Sequence, residues 1–150
     1  MPIHLGKPMR AAAVLALTAL SPLPAFADDH QETWRLFVAD HTQPVVRALD
    51  AASGSELARF DLGGYAALSL SDSGKTVFAV QGDKDTVQVI ASGIGLSDHG
   101  EHRDIEISDP KLLPGVITGK KPGHVVTHGD DVAVFYDRGG KLDLFQESAL

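Results

Sequence analysis

From residue 34 onward the apolar positions fall into short runs, each closed by turn residues. Trp34 to Ala39, Pro44 to Leu49, Glu56 to Leu62, Ala66 to Leu70, Thr76 to Val80 and Thr86 to Ile90 are rich in Val, Leu, Phe and Ala. Gly, Asp and Ser separate them, as in Asp50-Ala-Ala-Ser-Gly54 and Ser71-Asp-Ser-Gly74. Such runs predict strands, and the glycines supply the positive φ that tight turns need. Past the first 27 residues no window of a dozen follows the 3.6-residue period of an amphipathic helix. The predicted class is all-β.

The runs also repeat. Phe37-Val-Ala39 followed by Val46-Arg-Ala-Leu49 returns as Phe78-Ala-Val80 followed by Val87-Gln-Val-Ile90, each position 41 residues further on. A looser third copy places Val132-Ala-Val-Phe135 before a turn at Asp137 to Gly140 and then Leu142-Asp-Leu-Phe145. A unit of inner strand, turn, middle strand, hairpin and outer strand at this spacing predicts a β-propeller. A plain meander or sandwich would repeat by composition alone, without keeping register across two strands and a turn. About three blades are present, whereas a ring takes four to eight, so the ring is expected to be incomplete. Either a longer parent protein or an assembly would complete it, and truncation is the more economical reading.

The first 27 residues have a different character. Lys7 and Arg10 precede an apolar run, Ala11 to Leu20; Pro22 and Pro24 follow, then Ala25-Phe-Ala27. Positive, apolar and small-residue regions in that order predict a cleavable secretory signal, too short to span a bilayer. The expected organisation is a signal peptide at 1–27, a flexible segment at 28–33, and a partial propeller domain at 34–150. No later stretch is long and apolar enough for membrane insertion, and the expected location is outside the cytoplasm.

Charge and composition then narrow the chemistry. The whole chain carries −7 with His neutral, and losing Lys7 and Arg10 brings the mature chain to −9. Such a surface repels nucleic acid, whose phosphates need a basic face. There is no cysteine, which excludes disulfides, thiolate metal sites and covalent haem attachment. A metal would have to be held by His and carboxylates. Gly93-Ile-Gly95 and Gly115 to Lys120 lack the remaining residues of dinucleotide and phosphate loops, and no serine sits in a nucleophile-elbow sequence.

Between the second and third repeats, roughly Gly93 to Lys121, lies a connection longer than a blade needs, and long ordered connections are often functional. It contains Asp98-His-Gly-Glu-His-Arg-Asp104, and the next strand start brings Pro122-Gly-His124, with His128 four residues on. His99 and His102 are three apart around a glycine, and Asp104 follows in strand-like sequence. Zinc takes three or four N/O ligands in a tetrahedron, some close in sequence and others distant. His-x-x-His-x-Asp with a separate His meets that description, and so, less distinctively, would a solvated polar loop. His41 sits in a predicted turn and His30 in an acidic N-terminal stretch.

Taken together, Phe37-Val-Ala-Asp-His41, Arg59-Phe-Asp-Leu62, Ser71-Asp-Ser-Gly-Lys-Thr-Val-Phe-Ala-Val-Gln-Gly82, Asp98-His-Gly-Glu-His102 and Thr118-Gly-Lys-Lys-Pro122 resemble the periplasmic zinc metallochaperones of the AztD type. The resemblance covers the mature chain but only the first part of that family's length. It implies a β-propeller that binds Zn2+ and passes it to the solute-binding protein of a zinc ABC importer, with no reaction catalysed. It implies His99, His102, Asp104 and His124 as zinc ligands, with His128 the alternative to Asp104, and Asp28-Asp-His30 as a metal-capture arm. Two other classes compete. A propeller enzyme of the lactonase or quinoprotein kind would favour acid- and Asn-rich calcium sites, yet the sequence contains no Asn. A metal-free interaction scaffold is the other.

Overall fold

The structure, a computed structural model, describes residues 33–100 and 103–150. The expected signal peptide and nearly all of the expected flexible segment lie outside these residues. Twelve strands follow one another: β1 Arg35–Ala39, β2 Val45–Asp50, β3 Glu56–Asp61, β4 Ala67–Leu70, β5 Thr76–Gln81, β6 Thr86–Ala91, β7 Ile94–Asp98, β8 Arg103–Ile107, β9 Lys111–Thr118, β10 Pro122–His128, β11 Asp131–Tyr136 and β12 Leu142–Gln146. They form three stacked meanders, β1-β2-β3, β4-β5-β6-β9 and β10-β11-β12, plus a separate β7-β8 hairpin. Every strand pairing is antiparallel, and the class is all-β as expected. None of the sheets closes on itself.

In its second and third copies, though not in the first, the repeat read from the sequence sits one strand further from the sheet edge than expected. Its first strand in the second copy, β5, is not the edge strand, because β4 pairs on its open side. The third copy has the same arrangement, with β10 beside β11. The connection between the second and third repeats is likewise less loop-like than its length suggested. Residues 111–118 form β9, which pairs with β6 and completes the second sheet. In that ladder Gln88 faces Val116 and Ile90 faces Leu112. The residues between, Leu113-Pro-Gly115, bulge opposite Val89, which accommodates a proline that could not donate to a regular ladder.

Alternation along the strands decides how the sheets stack. Each residue of β5 is buried, the pattern of a strand covered on both faces. Val77 and Ala79 point toward the first sheet and join Val46, Leu62, Ala66 and Ile90 in one core cluster, flanked by Phe37 and Phe60. Phe78 and Val80 point the other way and join Val87, Val89, Val125, Val132, Val134 and Tyr136. The second sheet is therefore the middle layer. Polar ties reinforce the contact with the third sheet: Ser69 Oγ donates to Val125 O at 3.1 Å, and Gly129 N donates to Asp72 Oδ2 at 3.0 Å.

The turns are built by short polar side chains. Asp40 Oδ1 accepts from Thr42 N at 2.7 Å and from Thr42 Oγ1 at 2.6 Å, and these bonds hold its carboxyl below the usual range. Asp50 Oδ1 does the same for Ser53 N and Oγ, both at 2.7 Å. Such side-chain mimicry of a backbone turn explains why Asp and Ser punctuate the strands.

Candidate metal centre

The hairpin that leaves the second sheet carries the His- and acid-rich segment. β7 and β8 pair from Ile94↔Ile107 to Asp98↔Arg103, so His99 and Gly100 follow the last pair at the tip. Asp98 Oδ1 accepts from Gly100 N at 2.8 Å, and Gly100 has φ +84, a conformation glycine adopts without strain. On the far strand Asp104 lies opposite Ser97. His99 Nε2 stands 3.4 Å from Asp104 Oδ2, with the two side chains 55% and 56% exposed.

That separation has a chemical meaning. Zinc holds imidazole nitrogen at roughly 2.0–2.1 Å and carboxylate oxygen at roughly 2.0–2.2 Å; on a tetrahedron the two donors then lie about 3.3 Å apart. The His99–Asp104 pair is spaced as one edge of that polyhedron. His102 lies outside the described residues. Among the described residues, no three His, Cys, Asp or Glu side chains converge as a metal-holding group.

His124 and His128 both stand on β10, and both are exposed. His124 faces Phe135, next to a bulge at Pro122, and His128 faces Asp131. They share one face of the strand, about 13 Å apart for four extended residues, so they mark opposite ends of it. Asp72, in the turn just before Thr76, bonds Gly129 N, and Thr76 pairs with Ala91, which in turn pairs with Lys111. The His128 end of β10 therefore lies at the end of the second sheet from which the hairpin departs. His124 belongs to the other end, where the carbonyl of Pro122 approaches Gly82. His41 is an exposed residue of the β1–β2 turn, and His30 lies outside the described residues.

Sequence reasoning did not find the residues that hold the hairpin at its root. Ser92 is 2% exposed and donates its backbone N–H to Lys75 O at 2.7 Å. Its hydroxyl donates to Gly74 O at 2.7 Å and accepts from Ile94 N at 3.1 Å. Arg35 Nη1, from the first sheet, donates to Ser92 O. Only the unusual placement of a small polar residue after the apolar run of β6 signals this in the sequence.

The comparisons with known proteins agree with the motif resemblance. The zinc chaperone AztD of Citrobacter koseri is 50% identical over 134 residues, which is 89% of this chain and 32% of that protein. A structure of apo AztD from Citrobacter koseri superposes with a TM-score of 0.74 at 50% identity, covering 78% of this chain and 31% of that one. A crystal structure of Citrobacter koseri AztD gives 0.76 with the same identity and coverage. The chain spans about a third of the length of these relatives. No protein-family model matches it. The relatives bear the name of a zinc chaperone, not of an enzyme.

Proposed function

We propose that this chain, which resembles the AztD-type zinc chaperones in sequence and in structure, is part of an exported, zinc-binding β-propeller without catalytic activity. In this reading it captures Zn2+ in the periplasm and hands it to the solute-binding protein of a zinc ABC importer. The three stacked sheets are three blades of an incomplete ring. β5 and β11 occupy equivalent second places in the second and third sheets, which supports that assignment.

The observation that carries the reading is the His99–Asp104 pair, whose 3.4 Å separation suits two ligands of one tetrahedral zinc. His102, three residues after His99 in the sequence, is the third donor that the family resemblance implies. His124 is the fourth in the ligand set that the family resemblance implies. His128, the alternative to Asp104 in that set, lies at the hairpin's end of the second sheet, whereas His124 lies at the other end. A site of imidazole and carboxylate without thiolate suits cargo that must be released, since such ligands can be exchanged one at a time with an acceptor. Exposure of the pair to solvent leaves room for that acceptor to approach. An export signal at residues 1–27 gives the protein the compartment in which an importer collects its metal.

The role is tested by mixing the zinc-loaded chain with the zinc-free solute-binding protein and separating the two after a short incubation. The reading predicts that zinc moves to the solute-binding protein faster than free diffusion through a chelator allows. Transfer that is no faster than release into a chelator would contradict a chaperone role.

A further inference from the structure

We propose that Arg35 and Ser92 are positioning residues that aim the β7–β8 hairpin and so set the geometry of the metal ligands at its tip. The inference rests on the reading that zinc is held by His99 and Asp104.

The argument begins with topology. β6 passes its ladder directly to β9, with Ala91 opposite Lys111. The hairpin is therefore extruded whole between those two residues, and β7 and β8 pair only with each other. A two-stranded ribbon with no third strand is marginal on its own, so its direction is set where it leaves the sheet. Ser92 fixes that point to the β4–β5 turn through Lys75 O and Gly74 O, and it caps Ile94 N at the start of β7. Ser108 N closes the root by donating to Gly93 O at 2.8 Å. Gly93 has φ +74, and a Cβ there would collide with Arg35 Nη1 and Ser108 O. The chain must be glycine where the guanidinium reaches across.

Arg35 is a poor device for stability alone. Its Nη1 serves one carbonyl, while its buried Nε has no hydrogen-bond partner among the described residues. Burying that one nitrogen unbonded costs free energy that an apolar side chain of similar length would not. What Arg35 adds is a directional link from the first sheet to the hairpin root. Both residues hold backbone at the hairpin root, so they act on the ligands through the hairpin's direction.

The test uses the whole chain in five forms: wild type, Arg35→Met, Arg35→Lys, Ser92→Ala and His99→Ala. Zinc affinity is measured by competition, and Co2+ absorption reports ligand geometry. The thermal midpoint is followed alongside. Arg35→Met is expected to keep or raise the midpoint while weakening zinc and altering the Co2+ spectrum. Arg35→Lys should restore part of both metal signals, and Ser92→Ala should weaken zinc independently of Arg35. Wild-type affinity and spectrum in Arg35→Met and Ser92→Ala, with zinc lost in His99→Ala, would overturn the positioning role alone. Unchanged zinc binding in His99→Ala would remove the reading beneath it.

Discussion

Tyr136 donates its phenolic hydrogen to Asp143 Oδ2 at 2.8 Å, and Lys141 Nζ reaches the same oxygen at 2.7 Å. The β11–β12 hairpin thus carries a phenol, a carboxylate and an ammonium in one contact at its turn. Burial first, and then the bond to Asp143, push the Tyr136 phenol up to about 12. The same bonds from Lys141 and Tyr136 hold the Asp143 carboxyl below its ordinary range.

The two shifts give opposite pH limits. In the unfolded chain Tyr136 would ionise near 10, so its contribution is intact below that pH and is lost as pH rises toward about 12. Asp143 contributes above the ordinary carboxylate range, and that contribution is lost as pH falls through its lowered folded value. Tyr136→Phe should flatten the alkaline decline of the thermal midpoint between pH 10 and 12. An identical alkaline profile in the variant would count against the assignment.

Gly119 packs so closely on the Tyr136 ring that an added Cβ would overlap the ring carbons. Gly119→Ala should destabilise the chain by roughly 1–3 kcal/mol through overpacking. Gly63→Ala, where a Cβ meets nothing within 4 Å, should stay within about 0.5 kcal/mol. Urea titrations of the two variants check the contrast, and equal midpoints would contradict it.

Phe78 and Phe135 make a second contrast. Phe78 is 0% exposed between the second and third sheets, whereas Phe135 is 43% exposed on the outer face of the third. Phe78→Ala should cost roughly 3–5 kcal/mol. Phe135→Ala should cost clearly less, because much of its ring is already in water. Equal losses in chemical denaturation would mean that the outer face of the third sheet is covered.

Much of this fold was legible because strand runs and turn residues are local signals. Trp34 to Ala39 and Thr86 to Ile90 became β1 and β6 within a residue or two. β9 was not legible, because Pro114 and Gly115 interrupt its apolar run and read as a loop until the ladder with β6 absorbs them in a bulge. β7 and β8 were hidden in the same way, since Gly95 and the acids dilute their apolar positions. At the site, the short spacing from His99 to Asp104 was readable, and the structure brings the two together. His124 and His128 were named from the sequence, but which of them lies at the hairpin's end of the sheet was not readable. Which end of an inner strand faces the hairpin depends on how the sheets stack, and local sequence does not encode that.

The Asp72 contacts offer a test of that stacking. Asp72 receives Gly129 N and Thr127 Oγ1 from the third sheet, so Asp72→Ala removes bonds between sheets without touching either core. It should raise amide exchange at Gly129 more than at Val89, which lies in the middle of the second sheet. Uniform exchange changes would contradict a local role.

The central claim is that zinc sits at the hairpin tip between His99 and Asp104. Zinc X-ray absorption on the metal-loaded chain, compared with His99→Ala and Asp104→Ala, addresses it directly. The account predicts a first shell of nitrogen and oxygen at roughly 2.0–2.2 Å, with imidazole scattering that declines in His99→Ala and a lower coordination number in Asp104→Ala. A wild-type spectrum in both variants would place the metal elsewhere and contradict the account.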